Sequence, residues 1–471
     1  MKKGIILSLI ATALLADGSE VESLKKQIEL LQTQLNNVKE KLVSIDTKND
    51  SVKVLEHKES LESLNAPSSY KSAFSQSSFM PDISLVVDAS YVSRNIKDSA
   101  IAHLEVPGVA HGIYGSHEHN GMTHTPMNAN SGFNLNYAEL GINSSVDNLF
   151  DLSATFHFSN SGVDIEEAFF TTTSLPYDLR VKGGKFLSDF GRLNSQHQHV
   201  WDFSDAPLIY KSFFGNHNIN EIGASAQVIL PTSFYSFVGF EALQGDNTSS
   251  FGTSAIAPTN NAEDIVANKP SQPNLLIGYV KGSVDFGDTS LLTGISYATA
   301  KARMDHQGDE NAHAFAGQTN ITDIELTTKT YFDSYSYLMF QGEWMRREMQ
   351  GIQYAPNSAQ DAFSSSVDLT KSQDGYYAQL VYAFNKEYKV GARYDSIYKN
   401  DVIANGVNQN KDSNLDAYSF KFDYKPSEFA LLRLQYNRNN ALFNEEGSRQ
   451  NLDEIIFEMN FAIGAHPAHN F

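Results

Sequence analysis

The histidines are the side chains of this sequence best suited to bind a metal ion. Five of the fourteen histidines, including His103, lie within residues 101–125, where Glu105 and Glu118 accompany them. Imidazole is mostly neutral at pH 7, and Zn²⁺ and Cu²⁺ accept imidazole and carboxylate ligands. The spacing matches no structural zinc motif, so a polar surface loop without metal is the alternative. We predict that the protein requires no cofactor but has a weak Zn²⁺ site at these four residues: His111, His117, His119 and His124.

His197 and His199 form a second candidate group. Side chains two residues apart lie on the same side of an extended segment, and Asp202 and Asp205 follow shortly afterwards. These residues could form a filter at the narrowest part of a channel or a second metal station. Histidines that only hydrogen-bond a loop to its surroundings remain a third interpretation.

The composition excludes several classes of protein. The chain has 471 residues, no cysteine and a formal net charge of −20 at pH 7. Without cysteine it forms no disulfides and no thiolate metal sites. Because nucleic-acid-binding proteins usually present basic surfaces, this acidity predicts no nucleic-acid partner.

The elements that must position these residues are β-strands, because apolar and polar side chains alternate from residue 83 onward. One clear case is Phe150–Ser159, where the apolar side chains are Phe150, Leu152, Ala154, Phe156 and Phe158. Residues 388–395 and 418–425 repeat the pattern. A soluble β-sandwich also alternates, but its apolar faces meet in one core and its strands are shorter. Strands with one face for lipid and one for water predict a transmembrane β-barrel.

The connections between these strands alternate in length. We count seven short turns and eight mostly long, polar connections, which implies a sixteen-stranded antiparallel barrel of the outer-membrane type with both sheet ends on the short-turn side. The eight connections are residues 93–131, 160–162, 187–221, 244–273, 303–320, 348–374, 399–414 and 439–452.

The connection at 187–221 is rich in aromatic residues and has no hydrophobic period, so we predict that it folds into the bore. Charges of both signs across such a narrow section would order water and favour small polar solutes. A dedicated phosphate ladder would instead need clustered basic residues. The predicted constriction residues are Asp189, Arg192, His197, His199, Asp202 and Asp205. The predicted pore-lining residues are His157, Arg180, Lys182, Lys389, Arg393, Lys421 and Arg433.

The two ends of the chain carry signals of export and assembly. Residues 1–16 resemble a secretory signal peptide, and residues 17–56 carry a heptad seam with Asn49 at an a position. We predict a periplasmic coiled coil, preferably trimeric, with a single surface helix as the alternative. A Ser- and Pro-rich linker at 57–82 leads to the barrel at 83–471. The last strand and the terminal Phe471 would be recognised by the barrel-insertion machinery.

Several motifs resemble known families. Lys185, Phe186, Phe190 and Gly191 in GGKFLSDFGRLN resemble the G-[KR]-F…F-G element of phosphate-selective-type porins. That resemblance implies an N-terminal coiled coil, a sixteen-stranded trimeric barrel and an inward third loop. The segments EEAFFTTTSLPYDLRVKGGKF, QHQHVWDF and HPAHNF resemble a group of zinc-regulated outer-membrane proteins described as receptors or porins.

Together these patterns predict a passive channel in the cell outer membrane, surrounded by lipid. It would admit small hydrophilic solutes or ions and be linked to uptake of zinc or another divalent metal. A receptor, adhesin or envelope tether without channel activity is the alternative. An outer-membrane hydrolase would need Ser, His and Asp or Asn on the barrel rim. No G-x-S-x-G element is present, although His157 faces inward, so we predict no enzyme activity.

Overall fold

A computed structural model describes residues 81–115, 117–119, 122–160, 162–308 and 311–464. Sixteen long strands, numbered β1 to β16 in chain order, form one closed antiparallel barrel. They are β1 Asp82–Arg94, β2 Gly132–Ser145, β3 Phe150–Ser159, β4 Gly162–Thr172, β5 Leu179–Leu187, β6 Asn220–Ile229, β7 Tyr235–Leu243, β8 Leu275–Phe286, β9 Thr289–His306, β10 His313–Tyr331, β11 Tyr337–Pro356, β12 Phe363–Ala383, β13 Tyr388–Ala404, β14 Leu415–Ser427, β15 Ala430–Phe443 and β16 Arg449–Gly464.

The first and last strands close the barrel. Val87 of β1 is opposite Phe461 of β16 on one side and Ala138 of β2 on the other. Each remaining strand pairs with its neighbours in sequence. The predicted sixteen-stranded antiparallel barrel is therefore confirmed.

The alternation in the sequence separates the two faces of the wall. In β14, the outward Phe420 and Phe422 are 55% and 45% exposed, whereas the neighbouring Lys421 is buried on the inward face. Leu434 on β15 and Ile455 on β16 continue the exposed apolar belt. Such a belt around a polar interior is that of an outer-membrane barrel. In the described part of the chain, no helix has the length and apolar character needed to cross a membrane.

The connections after β1, β5 and β7 are long as predicted, but four other connections that the sequence indicated as long are shorter. The connections after β9, β11, β13 and β15 span only residues 307–312, 357–362, 405–414 and 444–448. In one case, β11 and β12 stay paired as far as Ala355 and Ser365. The alternation fades there because each face of the extended hairpin mixes polar side chains with apolar ones such as Met349 and Leu369, while the backbone hydrogen bonds continue. The predicted boundaries near 303–320, 348–374 and 439–452 were therefore wrong.

Short elements occupy the connections. By the rule for outer-membrane barrels, the longer connections lie on the outer side. They contain the helices α1 Asp98–Ile101 and α2 Leu208–Phe214, the 3₁₀ turns Gln198–Val200 and Gly215–His217, and the short strands Glu105–Val106, Ala110–His111, His117–His119, Met122–His124 and Val407–Asn408. A further 3₁₀ turn, Pro176–Asp178, lies on the short-turn side. The signal peptide, coiled coil and most of the linker, and the terminal HPAHNF, lie outside the described residues.

Candidate functional site

The connection between β5 and β6, residues 188–219, crosses the bore and is called the inward loop below. It leaves the wall at β5, yet its backbone and side chains contact strands on the far side. Leu208 N donates to Asp395 Oδ1 at 2.9 Å on β13. Ser204 N donates to Gln435 Oε1 at 2.8 Å on β15. The loop is therefore fixed to both walls.

Charged pairs hold the far end of the inward loop. Asp205 lies 3.0 Å from Arg393 and 2.8 Å from Lys211, and Asp202 lies 3.3 Å from Lys421. The Arg393 guanidinium also covers the ring of Phe203, 4.8 Å from its centroid. Burial raises the pKa of Asp205, but Arg393 and Lys211 outweigh burial and hold the pKa well below its usual range. Asp205 is thus an anion that ties the loop to the wall.

The first turn of the inward loop is built around Glu343 on β11. This buried carboxylate accepts hydrogen bonds from Arg192 N at 2.8 Å, Leu193 N at 3.0 Å and the Tyr210 hydroxyl at 2.6 Å. Gly191 has a positive φ of 64°, and a β-carbon there would collide with Glu343. The glycine of the F-G element is therefore required by close approach to the wall as well as by its backbone conformation.

Apolar side chains of the inward loop pack with the first outer connection. Phe190, Phe213 and Phe214 are almost fully buried in one cluster with Ile101 and Val106. Two connections that are distant in sequence therefore share a core inside the outer half of the barrel.

Six titratable side chains, four from the near wall and two from the inward loop, are grouped where the loop meets that wall. We call them the glutamate–histidine cluster: Glu139 of β2, His157 of β3, Glu166 and Glu167 of β4, and His197 and His199 of the loop. Oε2 of Glu139 lies 3.2 Å from His157 Nε2, 3.4 Å from His197 Nδ1 and 3.2 Å from His199 Nδ1. Three imidazoles thus converge on one carboxylate oxygen.

Strand register explains why these residues meet. Glu139 and His157 are direct cross-strand partners. Between β3 and β4, Thr155 pairs with Glu167 and Phe156 with Ile165, so Glu166 is the extra residue of a β-bulge. In a regular strand adjacent side chains face opposite ways. The bulge lets Glu166 and Glu167 both reach the histidines.

His197 is oriented by a second carboxylate. Its Nε2 lies 2.8 Å from Glu167 Oε2, while its Nδ1 faces Glu139 and lies 3.6 Å from Glu166 Oε2. Burial lowers the pKa of His197, but the hydrogen bonds to Glu139 and Glu167 outweigh burial and raise its pKa well above the usual value. Glu167 is held in turn by Leu187 N at 2.8 Å.

His157 and Glu166 connect the cluster to a cavity of about 430 Å³ between the inward loop and the wall. The His157 ring stacks on Tyr137 with centroids 4.5 Å apart and planes 10° apart, and its Nε2 lies 2.5 Å from Glu166 Oε2. Five histidines line this cavity: His111, His157, His217, His306 and His313. The cavity therefore joins the cluster to histidines of the outer connections.

His111 contacts residues that were not among the predicted metal ligands. Its Nδ1 is 2.8 Å from Glu105 Oε2, and its ring is 5.8 Å from the rings of both His306 and His313. The hydrogen bond from His111 outweighs partial burial and lowers the pKa of Glu105. His117 pairs with His124, and His119 with Met122, in a separate two-stranded hairpin.

The predicted lumen residues fall into three groups. Arg393, Lys421 and Arg433 are buried beneath the inward loop, where Arg433 Nε lies 2.8 Å from Asp423.

Lys182 lies 3.9 Å from Asp189 and 5.0 Å from the Phe186 ring centroid. Asp189 also accepts a hydrogen bond from the Tyr279 hydroxyl at 3.3 Å. Arg180 and Lys389 lie toward the short-turn ends of β5 and β13, with Lys389 5.3 Å from the Tyr337 ring. Arg192 anchors the loop through its backbone nitrogen.

Sequence reasoning missed Glu139, Glu166, Glu167 and Glu343. Glu139 could have been found as an acidic residue on the inward side of an alternating strand. The adjacent pair Glu166 and Glu167 was ambiguous, because the bulge that turns both inward is not visible as a pattern. Glu343 is recognisable only after the fold brings β11 to the loop.

No protein-family model matches the chain. Among solved structures, the outer membrane channel DcaP of Acinetobacter baumannii is 11% identical with a TM-score of 0.49, covering 83% of this chain and 99% of that chain. The anion-selective porin from Comamonas acidovorans is 11% identical with a TM-score of 0.46, covering 82% of this chain and all (100%) of the porin.

A sequence relative is much closer. An uncharacterized protein of Aquifex aeolicus (strain VF5) is 45% identical over 401 residues, which cover 85% of this chain and 82% of that protein. The chain therefore belongs to the same protein family as this Aquifex aeolicus protein.

Proposed function

We propose that this protein is a porin-like channel of the outer membrane through which small hydrophilic solutes or ions diffuse passively. The observation that carries the proposal is the inward loop, which crosses the bore and leaves a cavity of about 430 Å³ beside it, lined by both polar and apolar side chains. A barrel with this interior suits small, hydrated cargo, because a large solute would have to displace the packed loop. The exposed apolar belt supports a location in lipid.

The charges on the inward loop support selection by polarity. Asp202 and Asp205 face Lys421 and Arg393 across the contact between loop and far wall. Fixed charges of both signs set up a local field that favours polar solutes over apolar ones. We assign the constriction to the six predicted loop residues, and the lumen lining to four of the predicted wall residues: His157, Arg180, Lys182 and Lys389. Arg393, Lys421 and Arg433 are buried against the inward loop and hold it in place instead.

We also propose that the channel is linked to the uptake of zinc or another divalent metal. It rests on the resemblance to zinc-regulated outer-membrane proteins and on the number of histidines that line the cavity. We further propose that the hairpin with His117, His119 and His124 captures metal weakly on the outer side. His111 would act with Glu105, His306 and His313 instead.

Assembly is also part of the proposal. The heptad seam of residues 21–52 favours a homotrimer with periplasmic arms, and the final strand β16 would present the signal for the barrel-insertion machinery. The sequence pattern predicts both features.

A receptor, adhesin or tether is the second candidate. It is favoured by the apolar core that the inward loop shares with the first outer connection, because this core fills part of the outer half of the bore. Purified protein in a planar lipid bilayer separates the two. Stepwise ion conductance supports the channel, and its absence at high protein load supports the receptor or tether. Reversal potentials in salt gradients then give the ion preference.

A further inference from the structure

We propose that the glutamate–histidine cluster is a binding site for one divalent transition-metal ion, best matched by Zn²⁺, with four ligands: Glu139, Glu166, His197 and His199. The inference deepens the proposed channel function by naming a ligand inside the lumen. It can be tested without conductance, because binding by the folded protein is measured directly.

Three of the six distances between the candidate ligand atoms are those expected around a tetrahedral ion. Ligands at about 2.0–2.2 Å from Zn²⁺ lie roughly 3.3–3.6 Å from one another. Oε2 of Glu139 is 3.4 Å from His197 Nδ1 and 3.2 Å from His199 Nδ1, and Oε2 of Glu166 is 3.6 Å from His197 Nδ1. Ligand atoms of Glu139, His197 and His199 all lie within 4.8 Å of one another.

The residues around these ligands have the arrangement expected of a metal site. A metal-bound imidazole usually donates its other ring N–H to a carboxylate, which fixes its tautomer and orientation. His197 makes this contact through Nε2 to Glu167 at 2.8 Å, leaving Nδ1 toward the proposed ion. His157, stacked on Tyr137, contacts Oε2 of Glu166 and so holds that carboxylate in place. Glu167 and His157 are therefore positioning residues.

The charge of the cluster favours a cation. Glu139, Glu166 and Glu167 bring three carboxylates together, and their side chains are 4%, 12% and 9% exposed. Buried anions are costly unless cations neutralise them. One divalent ion supplies two positive charges at the point where the carboxylates converge.

The ion has a route to the site. His157 and Glu166 form part of the cavity wall, and the same cavity is lined by His111, His306 and His313 at the outer connections. Imidazole nitrogens therefore lie along one continuous space from the outer connections to the cluster. A hard ion such as Mg²⁺ prefers oxygen ligands, so the site should discriminate against it.

The test uses the full-length protein in detergent, freed of metal with a chelator and titrated with Zn²⁺ in a calorimeter. The background variant His117→Ala, His119→Ala, His124→Ala removes the outer hairpin histidines. We expect one strong site to persist in this background. The double variant His197→Ala, His199→Ala and the variant Glu139→Gln should each weaken it by at least about 100-fold, and Glu167→Gln by about 10–100-fold.

Controls separate metal ligation from a metal-free ion-pair network. His103→Ala is the matched control, because that histidine is 68% exposed on the first outer connection and its ion pair is with Glu445. Folding of each variant is checked by the heat-dependent migration of the barrel on electrophoresis. If the cluster variants do not fold, X-ray absorption of the Zn²⁺-loaded background protein still reports two imidazole nitrogens and two oxygens.

The inference is overturned if the background protein binds no stoichiometric Zn²⁺, if both cluster variants bind it as tightly as the parent, or if the absorption spectrum contains no imidazole nitrogen. Mg²⁺ binding equal to Zn²⁺ binding would also overturn it. Conductance without Zn²⁺ binding contradicts the metal site alone. Zn²⁺ binding without conductance contradicts the proposed channel alone.

Discussion

Gly191 lies against the carboxylate of Glu343 with no room between them for a β-carbon. The contact joins the first turn of the inward loop to the wall and lets Glu343 accept the next two backbone nitrogens. The position of the whole loop therefore depends on one residue without a side chain.

Gly191→Ala should destabilise the protein. A β-carbon would strain the positive φ, collide with Glu343 and lie 2.6 Å from the Tyr210 hydroxyl. We expect a loss of about 1–3 kcal/mol in the free energy of unfolding, measured by denaturant titration in detergent. Gly287→Ala is the matched control, because Gly287 has a similar φ of 61° and open space around it. Equal losses in both variants would show that backbone strain alone matters.

Deletion of residues 194–205 should raise single-channel conductance. The segment includes Trp201 and Phe203, both buried inside the barrel, so its removal widens the bore at the inward loop. Planar bilayer recordings of parent and variant at the same salt concentration test this. An unchanged conductance would mean that ions follow a path that the inward loop does not obstruct.

The pairing of Asp205 with Arg393 predicts a specific response to acid. Because the pKa of Asp205 is lowered on folding, its stabilising effect is complete above the unfolded value of about 3.9 and disappears as pH falls through the lower folded value. Between pH 8 and about pH 4 this contact should therefore stay intact, so the conductance of the parent should not change through its loss.

Removing the partner should change that response. In Arg393→Gln the pKa of Asp205 rises, and breaking the buried pair should cost about 3–5 kcal/mol. When the pH is lowered, the conductance of the variant should increase or become noisy at a higher pH than the conductance of the parent does. Identical pH profiles would show that Lys211 and the backbone contacts suffice to hold the loop.

The heptad seam predicts assembly through the N-terminal arm. Leu31→Asp together with Leu35→Asp places charges at positions d and a, where apolar side chains should meet. We expect fewer trimers on mild electrophoresis, with heat-modifiable folded barrel still present. Unchanged trimers would assign the association to the barrel walls.

The outer hairpin predicts a second, weaker class of zinc binding. Changing His117, His119 and His124 together to Ala should abolish the weak phase of a Zn²⁺ titration and leave ion conductance unaltered. The phase should be weak because fixing side chains around an ion costs conformational entropy, on the order of 1–2 kcal/mol per residue. A weak phase that survives the change would point to His111 with His306 and His313 instead.

The barrel was predictable because the alternation of apolar and polar side chains is a local pattern that repeats from strand to strand. Alternation at Phe150–Ser159 and at Tyr418 to Lys425 follows directly from one wet and one lipid-facing side, and turn residues mark the ends. The predicted limits at 348–374 failed because strand pairing between β11 and β12 continues where the alternation no longer reports it.

The candidate site was only half predictable. His197 and His199 were visible as a pair, but their partners Glu139 and Glu167 come from two other strands. Which residues meet depends on the register between β2, β3 and β4, and a single sequence does not contain that register. Likewise, Asp202 and Asp205 were recognisable as charges, while their partners Lys421 and Arg393 required the loop to reach the far wall.

The β-bulge at Glu166 has a consequence for how this site could be lost or kept during evolution. Because the bulge depends on one extra residue in β4 opposite β3, a one-codon deletion in that strand would turn one of the two neighbouring carboxylates toward the lipid while leaving every cluster residue in the gene. Relatives that retain the site should therefore preserve the number of residues between His157 and Glu167 as strictly as the identities of the residues themselves.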